Sequence, residues 1–200
     1  IAQTHKTDRW VPIFKLPMDL RVVVDGKTQL TRRFWIDEQK SDFVIPMTKR
    51  PDFVEVDPKG WTPGDVVIQW SRQEALQALT SGSTVVTRYR AARRLAHWVG
   101  DEEIAEKLSN QAPKEAGWVA ERIAKTLGVN NTQRALEGLL KLGKHKASRA
   151  RAEVAKSLVT YAPDPRITAW ANEALEDSSY RVIASVARNY WRYKASKGFS

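Results

Sequence analysis

Hydrophobic and polar residues alternate along the first third of the chain, which is the pattern of β-strands with one buried face. Asp25-Gly26 separates two of these runs, and this dipeptide between β-branched residues is a strong hairpin signal. We predict five antiparallel strands, at residues 1–5, 19–24, 27–36, 42–45 and 52–56. Because no helical stretch separates them, they predict part of an antiparallel β-sandwich.

From residue 71 onward, apolar residues recur at three- and four-residue spacing, which predicts amphipathic helices. A phrase of the form apolar-Ala-basic-x-apolar occurs four times, and its alanines are 32, 31 and 32 residues apart. These alanines are Ala92, Ala124, Ala155 and Ala187. A fixed period in this range is typical of stacked helical repeats. We therefore predict four helical hairpins that form a HEAT-like α-α superhelix.

Each repeat divides into two predicted helices. The first helices are predicted at 72–79, 102–108, 132–142 and 167–175, and the second at 84–98, 114–127, 147–161 and 180–193. The predicted fold class is β then α, with a β-sandwich module over residues 1–68 and a HEAT-like helical repeat domain over residues 69–200. The segment 1–5 has the pattern of the middle of a strand, so we expect the sandwich module to be truncated at its N-terminus and the chain to be a fragment.

The charge of the chain is uneven. Its formal net charge is +10, with 11 basic and 10 acidic side chains before residue 69 and 22 and 13 after it. Basic residues crowd two predicted helical regions and form a candidate interaction surface of Arg88, Arg90, Arg93, Arg94, Lys141, Lys144, Lys146, Arg149 and Arg151. On a helical stack such residues would follow one face and would suit an acidic protein or a nucleic acid. A solvated helix face, or an acidic partner domain, explains the same charge.

Residue types restrict the chemistry. The absence of cysteine excludes disulfides, thiol catalysis and Cys-ligated zinc. His5, His97 and His145 have no second histidine at zinc-site spacing. Residues 138–145 nearly fit a phosphate-binding loop, but His145 replaces its Ser or Thr and the stretch ends a predicted helix. We predict no catalytic, metal or cofactor-binding residue in this chain, no membrane span, and a cytoplasmic protein.

Several short motifs follow one another in a fixed order. They are Gln3-Thr-His5, Phe14-x-Leu-Pro17, Val24-Asp-Gly26, Phe34-Trp-Ile36, Phe43-Val-Ile-Pro46, Pro51-x-x-Val54 and Val54-Glu-Val-Asp-Pro-Lys-Gly-Trp61, then the repeated Ala phrase and Asp177-Ser-Ser-Tyr-x-Val182. This order resembles the C-terminal region of zinc aminopeptidases of the aminopeptidase N type. The resemblance covers nearly the whole chain and consists of packing motifs.

The resemblance implies a noncatalytic segment that covers an upstream catalytic domain and shapes the peptide substrate chamber. Zinc is then a cofactor of the parent protein, whose His-Glu-x-x-His motif lies upstream and is not in this chain. Two alternatives remain open. In the first, the chain is a stand-alone helical-repeat scaffold that binds an acidic protein or, less expectedly, nucleic acid through its basic face. In the other, the parent has lost its zinc ligands and serves as an assembly factor.

Overall fold

A computed structural model describes residues 1–194 and shows three β-strands followed by eight α-helices over that range. The strands are β1 (Leu16–Val24), β2 (Lys27–Ile36) and β3 (Phe53–Val56). The helices are α1 (Arg72–Ser81), α2 (Val85–Leu95), α3 (Glu102–Gln111), α4 (Gly117–Asn130), α5 (Gln133–Leu142), α6 (Ser148–Ser157), α7 (Pro165–Ala174) and α8 (Tyr180–Lys194). Short 3₁₀ helices at Ala112–Lys114 and Leu158–Tyr161 follow α3 and α6. The predicted order of strands and then helices is confirmed.

The strands form one antiparallel sheet in the order β2-β1-β3. Asp25 and Gly26 both have positive φ, at 51° and 70°, which is the backbone of a two-residue hairpin turn. The Asp52 carboxylate accepts a hydrogen bond from the Gly26 backbone N–H at 2.8 Å and holds this turn against the strand that follows. The hairpin predicted from the Asp-Gly pair is thus confirmed.

Two of the five predicted strands are wrong. The segment 1–5 makes only a single bridge, between Ala2 and Lys40. Residues 42–45 form no strand, because their alternate apolar side chains reach the sheet by packing on its face. The Phe43 ring lies 4.4 Å from that of Phe34, and Ile45 covers the same small core. The described residues therefore contain three strands in one sheet, and a second sandwich layer stays a prediction.

The eight helices follow one another as four contacting pairs joined by short loops, and successive pairs also contact one another. The second helices pack in the order α2, α4, α6 and α8, while α3 lies between α1 and α5 among the first helices. Side chains of Ser71, Thr84, Asp101, Thr132 and Asp164 cap helix N-termini, which explains where five of the helices begin. The predicted helices are confirmed to within a few residues at most of their ends.

The repeated alanines mark the contact between successive helix pairs. Ala92, Ala124 and Ala155 are fully buried, whereas Ala187 on the last helix is exposed. The Thr126 hydroxyl donates a hydrogen bond to the Ala92 carbonyl at 2.8 Å, which places α4 directly over this part of α2. The Tyr193 hydroxyl of α8 likewise donates to the Ala155 carbonyl. The next pair therefore covers Ala92 and Ala155, whereas within residues 1–194 no pair covers the fourth alanine.

The sheet and the first helix pair share a buried junction. Glu55 of β3 is fully buried, and its carboxylate accepts hydrogen bonds at 2.7 Å from both the backbone N–H and the hydroxyl of Ser83. The indole of Trp70 donates to the Val54 carbonyl at 2.9 Å. Val23 and Phe53 belong to the same apolar cluster as the helices. Buried contacts thus cross the predicted boundary between residues 68 and 69.

Substitution of Gly138 tests how closely α3 and α5 approach each other. A Cβ at this position would lie 1.9 Å from the Ser109 Oγ and 2.9 Å from the Ser109 Cβ. We expect Gly138→Ala to reduce the free energy of unfolding by about 1–3 kcal/mol through overpacking, although the same exchange stabilises an uncrowded helix by about 1 kcal/mol. The urea midpoint, followed by circular dichroism, measures the change.

The control is the same exchange in a Ser109→Gly background, which removes the two nearest atoms that the new methyl group would meet and leaves only Leu127 Cδ1, at 3.3 Å. There Gly138→Ala should be neutral or stabilising, so that the two positions couple strongly in a double-mutant cycle. An equal effect of Gly138→Ala in both backgrounds would contradict a contact at this interface.

Candidate functional site

The six arginines of the predicted basic surface make contacts inside the protein. Arg88 donates to the buried Glu115 carboxylate at 2.7 Å, and Arg151 makes a bidentate pair with Asp177 at 2.7 and 2.8 Å. The others bind the Val56 and Asp57 carbonyls (Arg90), Asp65 (Arg93), the Trp70 carbonyl (Arg94) and Glu121 (Arg149). Most of this guanidinium charge is thus engaged in joining segments 24 to 34 residues apart in the chain.

Arg88 and Arg151 occupy equivalent repeat positions, each four residues before its repeated alanine. Their partners, Glu115 and Asp177, lie in the loop between the two helices of the following pair. We call these two ion pairs the inter-hairpin pairs. In the repeat between them, His145 occupies the corresponding loop, and its Nδ1 accepts a hydrogen bond from the Ala147 N–H at 3.0 Å. Burial lowers the pKa of His145, which favours the neutral ring there.

The three lysines of the predicted surface lie elsewhere. Lys141, Lys144 and Lys146 are exposed near the end of α5 and in the loop before α6. Their ammonium groups form no ion pair within residues 1–194, unlike the arginines they were grouped with. The structure therefore divides the predicted surface into arginines with partners inside the protein, of which Arg93 and Arg149 remain exposed, and a separate group of unpaired, solvated lysines.

A different row of cations runs across the helix stack. The basic residue of each repeated phrase directly follows the alanine, and all four of these side chains are exposed. Since α2, α4, α6 and α8 pack in order, they stand one per helix along one face. We call this row the cation ladder, consisting of Arg93, Lys125, Lys156 and Arg188. Only Arg93 was among the predicted surface residues, although the repeated phrase itself contains the signal for the other three.

A groove with a volume of about 590 Å³ lies beside the ladder, between α2, α4 and α6. Its aromatic wall is formed by Tyr89 and Trp118, whose ring centroids are 5.1 Å apart. The Arg122 guanidinium lies 5.0 Å from the Tyr89 ring centroid and donates to the Tyr89 hydroxyl at 2.8 Å. The buried Nε of Arg122 has no hydrogen-bond partner in the described part of the chain. The groove thus places a half-buried cation against aromatic rings.

The remaining groove residues carry charge. Glu121 pairs with Arg149 at 2.5 Å, and Glu153 pairs with Lys156 at 2.7 Å. Arg122 and Lys125 have no acidic partner among the groove residues, so the lining keeps an excess of two positive charges. Lys125 and Lys156 belong to both the groove and the cation ladder, which makes the two features one continuous surface. Such a surface attracts anionic groups.

The histidines lie in three separate places. A His5 ring nitrogen lies 3.1 Å from the Pro12 carbonyl, His97 Nδ1 lies 2.9 Å from the Arg94 carbonyl, and His145 is buried before α6. Over residues 1–194, no three His, Asp or Glu side chains are grouped so that they could hold a metal ion. None of the helices described is both long and apolar enough to cross a membrane.

Comparison with known proteins gives no relative for this surface. No protein-family model matches the chain, and no curated protein matches it either. The interpretation of the ladder and the groove therefore depends on their geometry and charge.

The Arg151–Asp177 pair generates a pH-dependent prediction. The hydrogen bonds from Arg151 hold the pKa of Asp177 below its usual value. A depressed folded-state pKa gives stability that is present above the unfolded-state pKa, about 3.9, and is lost as the pH falls through the folded-state pKa. We expect Asp177→Asn to cost about 2 kcal/mol at pH 7 and to unfold with a weaker pH dependence below pH 4 than the wild type.

Asp42→Asn is the matched control, since it also removes one carboxylate. Asp42 and Lys40 form an exposed pair at 3.9 Å, which contributes little. Urea unfolding at pH 7 and at several pH values below 4 compares the three proteins. Equal losses for Asp177→Asn and Asp42→Asn would show that the Arg151 pair does not hold the last hairpin.

Proposed function

We propose that the chain is a noncatalytic C-terminal segment of a zinc aminopeptidase-like protein, where it covers the catalytic domain and shapes the peptide substrate chamber. In this proposal the four helix pairs form a HEAT-like α-α superhelix, the sheet is part of a β-sandwich, and the protein is cytoplasmic. The zinc ligands belong to an upstream catalytic domain. The observation that carries the proposal is the junction built by residues 54–61, the same stretch that closes the resembling β-module.

The junction fixes the direction in which the chain leaves the sheet. Asp57 has a positive φ of 44°, and its carboxylate accepts hydrogen bonds from the N–H groups of Trp61 and Thr62 at 2.9 and 3.1 Å. Arg90 of α2 donates to the Val56 and Asp57 carbonyls at 2.6 and 2.9 Å. The sheet is therefore tied to the second helix of the first pair. A fixed angle between sheet and helices suits a segment that seats against a neighbouring domain.

An exposed apolar surface on the sheet supplies a place for such a neighbour. Trp35 and Trp61 are 54% and 68% exposed. Pro17 stands opposite Trp35 in the β1–β2 register and lines a small pocket together with Trp61 and Leu16. We call these four residues the tryptophan patch. Contiguous exposed apolar surfaces of this kind are typical of interaction sites.

The outer edge of β2 adds backbone groups to the tryptophan patch. In the order β2-β1-β3, this edge has no partner strand within residues 1–194, and β2 is ten residues long. Long open edges in proteins are normally paired or covered. In the proposal, the upstream part of the parent protein covers both the edge and the patch.

The first test uses the gene. Reading the coding sequence upstream of residue 1 should reveal a His-Glu-x-x-His motif with a later Glu. An upstream region that resembles this fold but lacks those ligands would favour the assembly-factor alternative.

For the 200-residue chain itself we expect no stoichiometric zinc binding and no cleavage of aminoacyl amides. A purified chain that did both would refute the noncatalytic role.

The tryptophan patch gives a mutational prediction for the longer protein. Trp35→Ser should expose the edge of the sheet, so that amides of β2 exchange with solvent at least about tenfold faster, because a docked edge strand is protected by its partner. Trp191→Ser is the matched control, since Trp191 is 69% exposed on α8, far along the chain from the sheet. Equal β2 exchange in the wild-type long protein and in the 200-residue chain would contradict docking at this edge.

A further inference from the structure

The four charges of the cation ladder are accessible to a partner. Lys125 and Arg188 form no ion pair within residues 1–194, and both are exposed. The first and third cations of the ladder each form one pair, with Asp65 at 2.6 Å and with Glu153 at 2.7 Å. The cations of these two ion pairs are 43% and 55% exposed. Ion pairs with an exposed cation contribute little free energy, so a partner could replace them at little cost.

The spacing of the ladder restricts the shape of that partner. Packed helices lie about 8–10 Å apart, which sets the distance between successive cations. A polypeptide in the extended polyproline II conformation advances about 3.1 Å per residue and has three residues per turn, so acidic residues at every third position present carboxylates on one side, about 9 Å apart. Four cations then correspond to about ten residues in this conformation. The distance between successive packed helices therefore equals about the length of three residues in an extended acidic chain.

The groove adds a position for one apolar side chain. Tyr89 and Trp118 form its wall beside Lys125 and Lys156, the two middle cations of the ladder. A residue between two acidic positions would place its side chain on these rings. The exposed ammonium group of Lys125, beside these rings, would then meet a carboxylate. The groove therefore favours a segment with an apolar residue near its centre.

We infer that the cation ladder and the groove bind an extended acidic segment of another protein, with a carboxylate at every third residue and an apolar side chain near its centre. This inference does not depend on the proposed function, since it uses only the helices. A nucleic-acid duplex suits the ladder less well, because each of its strands carries a charge about every 3.4 Å along the helix axis and only about one in three would meet a cation. The guanidinium groups of Arg88 and Arg151 are also engaged inside the protein.

Fluorescence anisotropy with a labelled ten-residue peptide tests the inference. The peptide carries Asp at positions 1, 4, 7 and 10 and Leu at position 6, and a second peptide has the same composition with its four Asp contiguous. At low salt, where surface charges are little screened, we expect the spaced peptide to bind more tightly. Lys125→Gln with Arg188→Gln should weaken its binding about tenfold, from two exposed cations.

Lys141→Gln with Lys144→Gln is the matched control, because it also removes two exposed, unpaired cations but lies away from the ladder. This variant should change the dissociation constant less than about twofold, as expected for a small change in overall charge. All four substituted side chains are exposed, so both variants should keep the wild-type thermal midpoint. The inference is overturned if both variants weaken binding equally, if the contiguous peptide binds as tightly, or if a ten-nucleotide single strand binds more tightly than the spaced peptide.

Discussion

The close approach of successive helix pairs is the constraint on which the rest of this structure depends. Ala92, Ala124 and Ala155 leave room for the next pair to come down onto the backbone, and a Cβ on Gly128 would lie 2.7 Å from that of Ser157. At such distances a hydroxyl of one pair reaches a carbonyl of the previous one, as Tyr161 does with Leu127 at 2.5 Å. Larger residues would separate the helices, and both the inter-hairpin pairs and the spacing of the cation ladder would be lost.

The same close packing explains how the protein uses its basic excess. Guanidinium groups can satisfy carbonyls and carboxylates in two directions at once, so they serve at half-buried junctions where a lysine would leave donors unmatched. Arg90 does this between α2 and the sheet, and Arg151 does it between α6 and the last pair. The four exposed cations of the ladder follow the helix repeat, and their regular spacing is therefore a consequence of the packing.

A feature can be predicted from the sequence when the residues that cause it are close together in the chain. The Asp25-Gly26 turn and the helix periodicity are local, and both were predicted correctly. The alternation at residues 42–45 gives a wrong strand prediction, because Phe43 and Ile45 pack on one face of the sheet while their backbone pairs with no strand. The basic surface depends on non-local pairing, since Arg88 finds its acid 27 residues later. The repeat contained that information, because Glu115 and Asp177 are separated by nearly two periods.

Native-state hydrogen exchange of the 200-residue chain, measured amide by amide, tests the dependence on neighbouring pairs most directly. Amides of α4 and α6 should exchange most slowly, because each of these helices is packed between second helices on both sides. Amides of α8, whose Ala187 face is open, should exchange markedly faster. Equal protection of α8 and α4, or greater protection of the sheet than of α4 and α6, would contradict the account.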